Sequence, residues 1–139
     1  MKMRETAYAK INLALHVRRR LEDGYHELET LFAFVDAGDE LRADPAAADS
    51  LALTGEFASY LSGSGGNIVL DALAALPHGG GWAVSLEKRL PVAAGLGGGS
   101  ADAGAIFRMV ERHQGLPEGW QALAARLGTN VPACVASVA

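Results

Sequence analysis

The stretch Leu90-Pro91-Val92-Ala93-Ala94-Gly95-Leu96-Gly97-Gly98-Gly99-Ser100-Ala101-Asp102-Ala103 places four glycines within five residues, between a strand pattern and a helix pattern. Glycine has no Cβ, so the backbone can approach a ligand closely and can take positive φ. Successive N–H groups can then converge on an anion. A helix beginning there adds its partial positive charge, which favours phosphate. The same pattern also suits a flexible glycine turn with Ser100 as an ordinary N-cap. Spacing excludes two other phosphate motifs. A P-loop needs G-x-x-x-x-G-K-S/T, and no Lys-Ser/Thr pair follows these glycines; Gly95-Leu96-Gly97 begins a dinucleotide fingerprint, but Ser100 takes its third glycine position. Asp102 falls in the first helical turn, where a carboxylate is favourable for structural reasons alone.

A second group lies near the N-terminus. From Ala7 to Val17 the pattern alternates, with Ile11, Leu13, Leu15 and Val17 on one face and Lys10, Asn12, Ala14 and His16 on the other. Lys10 and Asn12 therefore share a surface. Taken alone, Lys10 reads as a solvated strand lysine. Asp23-Gly24 is a turn signal, so Tyr25 to Val35 is expected to pair back antiparallel, with Tyr25 and His26 flanking the turn. His16, His78 and His113 have no partners at metal-ligand spacing.

The elements that must position these residues follow from periodicity. Asp36-Ala37-Gly38-Asp39 reads as another turn, and Glu40–Ala43 and Leu51–Thr54 as short strands around a Pro45 and alanine loop. Residues 55–66 are rich in Gly and Ser. Asn67 opens a helix as its N-cap, with Val69, Ala72, Leu73 and Leu76 forming one stripe. Pro77 and Gly79-Gly80-Gly81 end it. Trp82, Val84, Leu86, Lys88 and Leu90 alternate against Ala83, Ser85, Glu87 and Arg89, another strand. A helix is expected from about Ser100 to Gln114, and a last one from about Glu118 to Leu127 with Trp120, Leu123, Ala124 and Leu127 inward. The order predicts an α+β domain with a mostly antiparallel sheet covered by helices.

The chain has 139 residues, which suits one domain, with half its residues hydrophobic and 20% charged, as in a globular core. The net charge is -4 and the 12 basic residues are scattered, which argues against a nucleic-acid partner. No apolar run reaches the roughly 20 residues of a membrane helix. The N-terminus lacks the apolar core of a signal peptide. The single cysteine, Cys134, reads as a small packed residue in a reducing cytoplasm.

Three segments together resemble the GHMP kinases. The glycine stretch resembles their phosphate motif, P-x-x-x-G-L-G-S/G-S/G-S/A-A. Ala9-Lys10-Ile11-Asn12-Leu13 and Asp23-Gly24-Tyr25-His26-Glu27-Leu28-Glu29-Thr30 resemble the A-K-I/L-N-L and D-G-Y-H-x-L-x-T segments of the subfamily that phosphorylates 4-diphosphocytidyl-2-C-methyl-erythritol. Asn67-Ile68-Val69 is similar to its N-L-I at a helix start. The resemblance implies the GHMP N-terminal fold, similar to the second domain of ribosomal protein S5. It implies transfer of the γ-phosphate of ATP, with Mg²⁺, to the 2-hydroxyl of a cytidine diphosphate derivative in non-mevalonate isoprenoid synthesis.

Roles follow from the resemblance residue by residue. Pro91, Gly95, Leu96, Gly97, Gly98, Gly99 and Ser100 would hold the ATP phosphates, with Asn67 near the adenine. Lys10 would stabilise charge on the transferring group, Asn12 would hydrogen-bond substrate, and Tyr25 and His26 would recognise cytosine. The sequence departs from the family at Gly128-Thr129-Asn130-Val131-Pro132, where the family reads G-A/S-D-V-P. Asn130 takes the place of the catalytic aspartate, and an amide cannot accept the hydroxyl proton. The second departure is length. The family carries a further C-terminal domain, absent from residues 1–139, and the apolar tail from Val131 to Ala139 reads as a cut end. A truncated, non-catalytic nucleotide-binding remnant is therefore the competing expectation.

Overall fold

The computed structural model describes residues 2–20, 26–55, 67–89 and 98–136. Its elements run β1 (Met3–Arg20), β2 (His26–Ala46), β3 (Ser50–Thr54), α1 (Asn67–Ala75), β4 (Gly81–Glu87), α2 (Gly98–Gln114), α3 (Trp120–Leu127) and α4 (Val131–Val135). The four strands form one sheet in the order β1-β2-β4-β3. β1 pairs with β2 and β2 with β4 antiparallel, while β3 lies parallel to β4. A parallel pair needs a crossover, and α1 lies between those two strands in the chain. The expected α+β architecture with a mostly antiparallel sheet is what forms.

The period-two pattern of β4 turns Trp82, Val84 and Leu86 inward, each at most 2% exposed. They meet Val69, Ala72, Leu73 and Leu76 of α1, the stripe read from the sequence, all buried. Ile106, Phe107, Met109 and Val110 of α2 complete the core. α3 adds Ala124, fully buried, with Trp120, Leu123 and Leu127 packed at the core's edge. Trp120 meets Phe107 edge-on, with ring centroids 6.2 Å apart. Trp82 lies between two imidazoles, His78 at 5.0 Å and His113 at 5.8 Å. His78 is itself held, Nδ1 at 2.8 Å from the Leu76 carbonyl and Nε2 at 2.7 Å from Asp49.

Three expectations are corrected. The turn at Asp36–Asp39 is instead part of β2, which runs unbroken to Ala46. The turn-forming residues sit at a register shift: β1 advances from Tyr8 to Lys10 while β2 retreats from Gly38 to Phe34. More residues of β2 than of β1 fill that interval, so the irregularity is a bulge and not a reversal. Gly38 fits there because a Cβ would collide with the Ala7 backbone. Pro45 also lies inside β2 and not in a loop. Its partner is Trp82 of β4, and pairing with β1 has already ended at Ala43, so no ladder bond is lost on that side. Finally, α2 begins at Gly98, which puts Ser100 within the first turn and not at the N-cap.

α4 was not expected. Val131, Cys134 and Val135 are buried in the core, Cys134 completely. α4 packs so closely on α2 that a Cβ at Gly104 would lie 2.7 Å from the Cys134 carbonyl carbon. Arg108 of α2 fixes the same junction. Its guanidinium donates to the carbonyls of Cys134 at 2.5 Å and Thr6 at 2.7 Å, and pairs with Glu5 at 2.7 Å. Two of the carbonyls that α4 leaves open at its C-terminus, those of Cys134 and Val135, thereby gain a donor.

Replacing Gly104→Val is expected to destabilise the chain by about 1–3 kcal/mol, seen as a lower urea midpoint. Helix propensity favours Val over Gly, so a loss reads the α2–α4 contact alone.

Candidate functional site

The start of α2 is the centre of the site. Gly98, Gly99 and Ser100 form its first turn, whose N–H groups have no intrahelical partner. Gly99 is exposed, and nothing lies within 4 Å of where its Cβ would be. Beside this turn comes the chain between α3 and α4. A Cβ on Gly128 would sit 3.6 Å from Ser100 Oγ and 3.4 Å from Val131. Gly128 closes α3 by donating its N–H to the Ala124 carbonyl at 3.3 Å. Asn130 is the exposed N-cap residue of α4, and its side chain makes no capping hydrogen bond. The glycine turn and the Gly128–Pro132 motif, distant in sequence, are therefore neighbours.

The remaining expected residues are less gathered. Lys10 and Asn12 occupy alternate positions of β1 within one unbroken stretch of register, opposite Phe34 and Phe32. His26 begins β2, paired with Arg20. Asn67 is the first residue of α1, so it stands inside the helix and not at the N-cap expected of it. Tyr25, Pro91, Gly95, Leu96 and Gly97 lie outside the described residues.

Directly behind the start of α2 is a cluster the sequence reading missed. Lys88 Nζ donates to Asp39 Oδ2 at 2.6 Å and to Asp102 Oδ2 at 2.9 Å. The three side chains are at most 3% exposed. Asp39 Oδ1 also accepts the Arg89 N–H at 2.7 Å. Asp102 Oδ1 is buried without a hydrogen-bond partner. The expectation that Asp102 falls in the first helical turn is corrected: α2 starts at Gly98, so Asp102 is its fifth residue, past the first turn, and its carboxylate serves Lys88 and not the helix end. One signal was available in the sequence. Lys88 shares the inward register of Trp82, Val84 and Leu86, and a charge on a buried face requires a counter-charge.

One ammonium faces two carboxylates in this cluster. Burial, then the hydrogen bond and charge of Asp39, push Asp102 well above the usual carboxylate range, and Lys88 only partly opposes them. Burial alone would lower Lys88, but the charge and hydrogen bonds of Asp102 and Asp39 outweigh it and raise the lysine. Asp102 thus holds its proton above the usual carboxylate range, while Lys88 keeps its charge more firmly than a free lysine.

Comparison with known proteins bears on this arrangement. Residues 58–137 match the model of the GHMP kinases N terminal domain. A relative from Novosphingobium aromaticivorans, named 4-diphosphocytidyl-2-C-methyl-D-erythritol kinase, is 75% identical over the whole chain, which covers 49% of the relative. One of the same name from Erythrobacter litoralis is 65% identical over 96% of the chain and 49% of the relative. A crystal structure of 4-(cytidine 5'-diphospho)-2C-methyl-D-erythritol kinase superposes with a TM-score of 0.73 at 38% identity, over 96% of this chain and 49% of that one. The Methanococcus jannaschii mevalonate kinase shares the fold, with a TM-score of 0.55 at 12% identity over 97% of this chain and 46% of that one. The chain spans about half the length of the curated relatives it matches.

Two outcomes follow from the charge cluster. Lys88→Met leaves Asp39 buried without its cation and is expected to cost about 3–5 kcal/mol in urea denaturation, whereas Asp102→Asn imitates the protonated acid and should cost far less. Because the folded state raises the Asp102 pKa, its stabilising share is complete below the ordinary carboxylate range and is lost as pH rises through the raised value. Denaturation midpoints of the wild type should therefore fall with rising pH across that window more steeply than those of Asp102→Asn.

Proposed function

The chain belongs to the GHMP kinases through their N-terminal domain, and from that premise we propose that it is the nucleotide-binding half of a kinase acting on 4-diphosphocytidyl-2-C-methyl-D-erythritol. The reaction moves the γ-phosphate of ATP to the 2-hydroxyl of that compound, in the non-mevalonate route to isoprenoids. The observation that supports it best is the open glycine turn at the start of α2 with the Gly128 segment laid against Ser100. Phosphoryl transfer asks for positioning and charge stabilisation more than for covalent chemistry, and unpaired N–H groups at a helix start supply both.

In this reading Gly98, Gly99 and Ser100, with Pro91, Gly95, Leu96 and Gly97 before them, hold the phosphates, and Asn67 lies by the adenine. Lys10 stabilises charge on the transferring group. Asn12 holds the substrate, while Tyr25 and His26 take the cytosine. Magnesium would enter on the nucleotide's phosphates, which supply most of its ligands and whose charge it neutralises. Asp102 fits poorly as a direct ligand because Lys88 already occupies one of its oxygens. Among the described residues no helix is long and apolar enough to cross a membrane, and we place the chain in the cytoplasm.

Asn130 supports a second reading, a nucleotide-binding remnant without catalysis. As the hydroxyl oxygen attacks phosphorus its proton needs an acceptor, and an amide offers no basic site for it. A chain extended with the second half of the Novosphingobium relative separates the two readings. Asn130→Asp in that chimera is expected to raise substrate-dependent ADP release by about 10²–10⁴-fold, the usual worth of a general base. No turnover of the cytidine diphosphate substrate by the Asp form would reject the kinase assignment.

A further inference from the structure

The Asp39–Lys88–Asp102 cluster lies at both ends of the glycine stretch. On the near side, the chain leaves β4 through Lys88 and Arg89. Lys88 N donates to the Thr54 carbonyl at 2.8 Å, and Arg89 N to Asp39 at 2.7 Å. Gly55, at φ 98°, presses on the same backbone, where a Cβ would lie 2.6 Å from the Lys88 carbonyl oxygen. On the far side, Asp102 sits one residue beyond the Ser100-Ala101 step of α2 and is tied back to Lys88 at 2.9 Å. A single ammonium thus spans the exit from β4 and the entry to α2, with Asp39 of β2 fixing it from behind.

Stability alone does not account for this choice of residues. Removing three ionisable groups from water is costly, and well-packed apolar side chains of similar volume often serve a core as well or better. Charged hydrogen bonds add directional geometry that apolar contacts lack. We propose that Asp39, Lys88 and Asp102 form a positioning set that fixes the first turn of α2, with Gly98, Gly99 and Ser100, at a defined distance from β4, and so sets the geometry in which a nucleotide's polyphosphate is held. This rests on the nucleotide-binding reading above. None of the three touches the phosphates. They act through the backbone they hold.

Spacing and charge can be separated at Asp102. Asp102→Glu keeps the acid but lengthens the tie by one methylene. Asp102→Asn keeps the length and the acceptor for Lys88 but removes the ionisable group. Calorimetric titration of the 139-residue chain with Mg-ATP, Mg-tripolyphosphate and adenosine reads the outcome. The Glu variant is expected to bind both polyphosphates about tenfold or more weakly, as a displaced binding geometry does. Adenosine, which lacks phosphates, should bind it as it binds the wild type. The Asn variant should rescue polyphosphate binding to within about threefold of the wild type, since its tie is of native length. If the Glu variant does not fold by circular dichroism, Asp102→Ala is read in its place against the same thresholds. Unchanged polyphosphate affinity in that variant, or an Asn variant as weak as the Glu variant, overturns the positioning role while leaving nucleotide binding intact. A wild-type chain that binds neither Mg-ATP nor Mg-tripolyphosphate takes down the nucleotide reading itself, and this proposal with it.

Discussion

Burying a lysine obliges a protein to supply counter-charge, and much of this fold is arranged around that need. Lys88 is inward because the alternation of β4 leaves it no other side. Its ammonium draws one carboxylate from β2 and one from α2. The sheet and its principal helix are therefore joined by a directional bond as well as by apolar packing. The same demand explains the path of β2. Had the chain reversed at Asp36–Asp39, Asp39 would not lie in the sheet beside the end of β4, where it accepts from both Lys88 and Arg89.

A second hub joins the parts of the candidate site. Arg108 reaches the Thr6 carbonyl on the strand that bears Lys10, and the Cys134 carbonyl one turn beyond Asn130. Its rigid, planar fork can hold both at once, which a lysine's single ammonium cannot do with the same geometry. β1, α2 and α4 are thereby kept in one relation. The residues assigned to the transferring phosphate, the phosphate seat and the proton acceptor's place stand on those three elements.

Local periodicity made much of this legible in the sequence. The α1 stripe of Val69, Ala72, Leu73 and Leu76, the alternation of β4, and the inward face of α3 all emerged as read, because each repeats over several residues within one element. The misreadings have physical causes. Residues of a bulge have the composition of a turn, so Asp36–Asp39 resembled a reversal until tertiary pairing decided otherwise. α4 is a single short turn containing Pro132, too brief to display a period. The partners of Lys88 are remote in the chain, so the lysine's inward register was visible while its counter-ions were not. Composition and motif could mark the glycine turn as a candidate phosphate seat. Its contact with Gly128 lay beyond them, since it exists only once α2 and α4 have packed.

That packing also gives the chain a built-in chemical clock. Its single thiol, on Cys134, is sealed between α4 and the Gly104 surface of α2. A small alkylating reagent can reach the sulfur only in the fraction of molecules whose α4 has come away. The rate of labelling in native buffer therefore measures how often that helix undocks, as amide exchange does for backbone openings. With no engineered cysteine, the native thiol reports the local free energy of the element that displays Asn130.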